Sequence, residues 1–529
     1  MDEPSLGGDE GQTRRRRPWF GLLLAAALLA FGAGAWIMGQ PPPSATPRVL
    51  GGNQPVNAGA KVGRDISANN SPTLARNPTD PANLVVANRI DRPSFSCALH
   101  ASFNGGASWE QTAVPFPAGE EDPPRCFAPD VAYASDGTLY VSFVTLQGLG
   151  NVPNAVWVVS SKDGGRTLSV PVKTAGRLSF QVQLTTDAAQ PARLYLTWLQ
   201  AEATGTLQFP ATGYPIVSST STDGGATWSA PVPVSSPSRE RVVAPSPAFG
   251  PDGQLYVLYL DLLEDRLDYA GAHEGRGGDP YEGPWALVLA RSSNQGSTWE
   301  ETVVDGGIRP TERFIVFLPS TPALAVDPRS GNIYVGFTDG RAGDADVNVW
   351  TSTDGGETFG SPVRVNDTPV GDGTSQYLPR LDVAPTGRLD VVYFDRRADL
   401  TNVNNEVSLQ SSFDNARTFT RRVRVSDRAF DSRIGLGSEL GLPDLGSRLA
   451  LVSTNRRALA VWPDTRGGSE VTSKQDLASA VIDIPPPAAT SRTWLRVVGA
   501  VAAALGVGSL VLALRTRRAP DGSTDADGS

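Results

Sequence analysis

The run Ser221-Thr222-Asp223-Gly224-Gly225-Ala226-Thr227-Trp228 decides how this chain is read. Close copies recur at Ser102 to Trp109, Ser161 to Leu168, Ser292 to Trp299, Ser352 to Phe359 and Ser412 to Phe419. In the last copy Asn415 and Ala416 stand where the quoted run has glycines. Each residue type has a physical role. Ser and Asp side chains bond nearby backbone groups and hold a tight turn, and glycine supplies the positive φ such a turn needs. The closing aromatic starts the next strand and can bury a large apolar area. Short β-rich runs flank the copies, such as Ala155 to Val159 ahead of one and Ala230 to Val234 behind another. That is a hairpin signature, and six hairpins of one design indicate a repeat architecture.

A second pattern precedes each hairpin: an apolar strand, a turn, then a strand that ends near an Asp. Clear copies pair Pro129 to Ala132 with Leu139-Tyr140-Val141, and Pro322 to Ala325 with Ile333-Tyr334-Val335. Counting weaker ones gives seven inner pairs against six hairpins. The seventh pair is followed by only one more strand, Leu477 to Ile482. Arg48-Val49-Leu50 resembles the fourth strands Val363-Arg364-Val365 and Val423-Arg424-Val425, so it is expected to complete the last unit and close a ring.

Six boxes in this arrangement resemble the Asp box, or BNR repeat, of the sialidase-like β-propeller superfamily, across roughly residues 70 to 480. The resemblance implies an all-β propeller with the boxes on the face away from the active site. Sialidases have six blades, whereas seven are counted here, with six as the alternative. Long insertions, among them Leu262 to Trp285 and Asp427 to Gly446, fall on the opposite face and nominate it for binding. Sialidases also grip a substrate carboxylate with three arginines, whose forked donors match it bidentately. Asp339-Gly340-Arg341, Asp395-Arg396-Arg397 and Asp464-Thr465-Arg466 end three consecutive second strands. Arg341, Arg397 and Arg466, with Asp339, Asp395 and Asp464, are therefore candidate substrate-binding residues. The other reading makes them ion pairs at blade corners.

The family's remaining marks are missing. No Phe/Tyr-Arg-Ile-Pro segment precedes the first blade, and no spacing singles out a nucleophile among Tyr377, Tyr393, Glu406 and Asp122. Two functions thus stay open: a glycan-binding, exo-sialidase-like glycoside hydrolase, or a non-catalytic platform for extracytoplasmic proteins. No cofactor is expected. His100 and His273 are the only histidines, which excludes a His-rich metal centre. His273-Glu274 lies in an insertion beside Asp265, Asp268, Asp279 and Tyr281, a group better read as solvated loop than as a site. Asp344-x-Asp346-x-Asn348 lacks the rest of a calcium loop.

The ends suggest a membrane protein. Residues 1–17 form a tail ending in four arginines, and residues 18–38 form an uncharged stretch long enough to span a bilayer. The arginines would stay cytoplasmic. A cleaved signal peptide, with Ala33-Gly34-Ala35 as its processing site, is the alternative. Residues 39–55 are linker plus closing strand, residues 56–484 the propeller, and residues 485–493 a second linker. Residues 494–514 read as a second span, and residues 515–529 as a basic cytoplasmic tail. This topology puts the propeller outside the cell membrane, where Cys97, on the third strand of the first blade, and Cys126, on the connection into the second, are expected to pair. Acidic residues outnumber basic ones by 55 to 46, which argues against a nucleic-acid partner.

Overall fold

Runs such as Leu255-Tyr256-Val257-Leu258-Tyr259-Leu260 do not alternate between apolar and polar, as suits a strand covered on both faces. In the computed structural model they are the second strands of radial sheets, and Leu255–Asp261, Ile333–Asp339 and Leu389–Asp395 are buried at every residue. The structure describes residues 18–38, 46–57, 66–117, 119–120, 124–202, 213–266, 281–311, 320–435, 445–486 and 493–517. They divide into two compact units, Pro47–Ile484 and the two terminal segments.

The larger unit is a seven-bladed β-propeller. The innermost strands of blades 1 to 7 are Asn69–Arg76, Arg125–Tyr133, Ser179–Thr186, Val242–Phe249, Ala323–Val326, Gln376–Val383 and Ala450–Ser453. Every blade is an antiparallel four-stranded meander, and blade 6 adds the short strand Phe430–Asp431. Blade 7 takes its fourth strand from the start of the unit. Arg48–Pro55 pairs antiparallel with Asp476–Asp483, Arg48 opposite Asp483 and Val49 opposite Ile482, as the resemblance among fourth strands implied. Asn53 fastens this strand to blade 6, donating to the Val425 carbonyl at 2.9 Å and accepting from the Asp427 amide at 2.8 Å. Between blades lie apolar layers built round fully buried aromatics, including Trp198, Tyr256, Trp350 and Trp462.

The repeated boxes form one hydrogen-bonded turn. In the copy at Ser221, the Gly225 amide donates to Ser221 Oγ at 2.9 Å, and the Thr227 amide and hydroxyl donate to Asp223 at 2.9 and 2.6 Å. These bonds, the Thr227 hydroxyl first, pull the Asp223 carboxyl down to about 2. The degraded copy keeps the same bonds from Ser412 and Asp414, with Asn415 and Ala416 forced to φ of 61° and 60°.

Cys97, on the third strand of blade 1, is disulfide-bonded to Cys126. Cys126 lies in the innermost strand of blade 2 rather than in the connection before it.

The second unit contains two helices, α1 (Pro18–Met38) and α2 (Thr493–Arg517). They pack antiparallel along small residues. A Cβ on Gly32 would lie 2.7 Å from the Gly499 carbonyl and 2.8 Å from the Ala503 amide, and one on Gly506 would lie 2.8 Å from Leu29. Such close backbone approach is how helices associate where apolar burial gives no drive. Among the described residues, the stretch Val497–Arg515 is long and apolar enough to cross a membrane, and Gly21–Ala35 of α1 is a shorter apolar stretch.

The boxes yield a paired test. At Gly356 (φ 86°) a Cβ would meet Leu289 at 2.7 Å and Ile333 at 3.3 Å. Gly356→Ala combines left-handed strain with overpacking and should cost about 2–4 kcal/mol in denaturant unfolding. Ala416→Gly relieves about 1 kcal/mol of strain but removes a buried methyl of similar worth, so it should change stability little.

Candidate functional site at the channel mouth

In each blade the second-to-third connection and the link to the next blade share one face, and the Asp boxes occupy the other. Arg48 and Asp483, which pair with each other, both lie at the Asp-box end of blade 7. The chain therefore enters and leaves the propeller at that face, and the channel mouth lies on the opposite one.

Near the mouth the innermost strands share a kink. Ser71, Ala128, Gln181, Ala244 and Leu378 have φ between 49° and 61°, and each lies where the pairing to the second strand shifts register. In four of these the next residue is proline, and the one after it is Thr73, Asp130, Ser246 or Arg380. Blades 2 and 6 thus place charged residues at a point where blades 1 and 4 place small polar ones. Asp130 reaches to blade 3 and accepts from the Leu184 amide at 2.8 Å. Asp382, two residues beyond Arg380 and opposite Asp390 towards the Asp-box end of the strand, accepts from the Ser453 amide of blade 7 at 2.5 Å. Burial pushes Asp382 up to about 7, and nearby Asp390 adds to this, while the Ser453 amide and Arg380 oppose it. Burial raises Asp130 as well, against the pull of Arg448 and Arg380. Arg448 comes from blade 7 and donates to the Pro129 carbonyl of blade 2 at 3.0 Å, reaching past blade 1. The signal for Asp130 and Arg380 was present in the sequence as the residue after each kink proline. Arg448 carries no such mark.

The arginines nominated from the sequence have separate surroundings. Arg341 is bonded to Asp339 and, at 2.7 Å, to Asp305. Arg397 is bonded to Asp395 and to Asp367, each at 2.6 Å. Arg466 is bonded to Asp464, with contacts of 2.7 and 2.9 Å, and to Asp427. In every case the second carboxylate comes from the preceding blade, at or just beyond its fourth strand. Asp339 and Asp395 are wholly buried, and Asp464 nearly so.

The other residues considered are also engaged. Tyr377 donates to Asn405 at 3.1 Å and accepts from Arg396 at 3.2 Å. Tyr393 donates to Gln410 at 2.6 Å, and its burial raises it well above the ordinary tyrosine value. Glu406 is paired with Arg422 and, at 2.9 Å, with Arg424. His100 is a buried strand residue beside Asn88, lowered to about 4 by burial. Asp346 is paired with Arg364 at 2.7 Å, and Asp344 accepts from the Gly373 amide. Among the described residues no group of three or more His, Cys, Asp and Glu is placed to hold a metal. Asp122, Asp268, His273, Glu274 and Asp279 lie outside the described residues.

The fold is a seven-bladed Asp-box β-propeller. It is similar to a phage phi92 endosialidase, at 10% identity over 82% of this chain and 70% of that one, with a TM-score of 0.46. It is similar to an alpha-L-arabinanase of Penicillium chrysogenum, at 12% identity over 84% and 99%, with a TM-score of 0.41. A Hadza microbial sialidase matches at 14% identity over 76% and 74%, with a TM-score of 0.40. No protein-family profile and no curated protein sequence matches the chain.

Two outcomes are expected. Arg397→Ala and Arg341→Ala each remove the arginine from a wholly buried carboxylate, Asp395 or Asp339, and should each lower stability by about 1–3 kcal/mol. Because the Asp382 pKa is raised on folding, its contribution to stability falls as pH rises from about 4 to about 7. Asp382→Asn should therefore gain on the wild type across that window and hold a constant advantage above it, of at most about 4 kcal/mol less what channel water offsets. Thermal unfolding at stepped pH reads this directly.

Proposed function

We propose that this chain is a membrane-anchored, extracytoplasmic propeller that binds a glycan at its channel mouth. The observation that carries the reading is the convergence of Asp130, Arg380 and Arg448 from blades 2, 6 and 7 in the channel. Sugars are held by a few oriented polar groups in a concave site, and charged side chains on a rigid scaffold supply them. Hydrolysis is the finer part of this proposal. Asp382, deeper than Arg380 towards the Asp-box end of the channel and poised near neutrality by burial, is the carboxyl best matched to general-acid work on a ligand that reaches that depth. In the glycan-grip version of the reading, Arg341, Arg397 and Arg466 would each give up a carboxylate partner to the ligand. The anchoring part of the proposal rests on α2, the small-residue seam with α1, and a disulfide that suits an oxidising compartment. An uncleaved α1 would put both tails in the cytoplasm.

A second reading, an interaction platform without catalysis, has its own support. Leu149, Val370, Leu400 and Val471 stand largely exposed on loops of the mouth face. Both readings meet in one experiment on the full chain in detergent. Glycan-array binding that is lost in Arg380→Gln, together with turnover of an aryl glycoside that is lost in Asp382→Asn, is the expected result. Absence of both binding and turnover would sink the glycan reading and leave the platform.

A further inference from the structure

Arg448 is 8% exposed, and its Nε and Nη1 are buried without a hydrogen-bond partner among the described residues. Only Nη2 is used, on the Pro129 carbonyl. The nearby acid does not fill the gap: Asp130 accepts from the Val131 amide at 3.0 Å and the Leu184 amide at 2.8 Å. Among the described residues it forms no ion pair with Arg448. Arg380, which faces the same place from blade 6, has neither a hydrogen bond nor an ion pair among the described residues. Arg89 adds like charge, although Asp91 neutralises it at 2.6 Å. A buried guanidinium with open donors is costly to leave unmet. Burial accordingly pushes Arg448 down to about 10, even with Asp130 opposing the shift.

We infer that the propeller channel binds a small oxyanion, a carboxylate or an inorganic phosphate, on the open donors of Arg448 and beside the unpaired guanidinium of Arg380. The inference deepens the reading of the mouth as a binding site, and rests on it, by naming the charge class the site accepts. Guanidinium donors suit both chemistries, since each presents two or more oxygens to a planar fork. The anion would complete a contact among blades 2, 6 and 7 that the chain's own carboxylates leave open.

Thermal unfolding of the full chain in detergent, with acetate, phosphate or chloride at matched ionic strength, tests this. Acetate or phosphate should raise the unfolding temperature saturably while chloride does not, and whichever acts identifies the oxyanion. Arg448→Gln and Arg380→Gln should each weaken the apparent affinity about tenfold or more. If Arg448→Gln does not fold, Arg380→Gln decides alone, because Arg380 makes no hydrogen bond or ion pair among the described residues. Equal shifts with all three salts, or unchanged affinity in Arg380→Gln, would overturn the inference and assign the open donors to water. Glycan binding without an oxyanion effect removes this inference and spares the glycan reading. A saturable oxyanion effect without glycan binding does the reverse.

Discussion

Burial on both faces is the constraint on which the structure depends. A sheet whose second strand is Leu-Tyr-Val-Leu-Tyr-Leu has no face for water, so each blade must lie between two others. An open array would always leave two blade faces uncovered, and only a ring covers both. The strand Arg48–Pro55 meets that demand by lending backbone bonds to Asp476–Asp483, while Asn53 holds the same strand to blade 6. The contact from Arg448 to Pro129 exists because the ring is closed: it joins residues 319 positions apart.

The fold was legible because its signals are local. A box of eight residues fixes a hairpin through its own hydrogen bonds, and the closing strand could be recognised by likeness to other fourth strands. Even the degraded box kept its geometry, since Ser412, Asp414 and Thr418 make the bonds and positions 415 and 416 only have to tolerate a left-handed backbone. One placement was off by an element: Cys126 belongs to a strand that begins at Arg125, earlier than its proline-flanked sequence suggested.

The site was far less legible. The Asp-x-Arg corners stood out as a repeated string, but their second carboxylates, Asp305, Asp367 and Asp427, come from the blade before and share no fixed spacing with the arginines. Asp130, Arg380 and Arg448 meet across the ring, so no periodicity within a blade connects them. What marks Asp130 and Arg380 is an exception to a pattern, a charge after the kink proline where sister blades carry Thr73 and Ser246. Asp382 is an acid beside Ser453 of the next blade, and its raised pKa comes from enclosure that sequence does not encode locally.

The closing strand also sets an order of events. Arg48–Pro55 is made before any other strand of the ring, and its partner Asp476–Asp483 is made after all of them. While the chain is synthesised, six blades can form from near-neighbour contacts, but the seventh must wait. The entropy of joining the two ends grows only slowly with the length between them, so the delay is one of timing more than of energy. Until the last strand arrives, a sheet built for two-sided cover is bare at its flank, and that is the form most open to pairing with another chain. A chain that stops short of Asp476 would remain in that form, with six sound blades and no means of closing.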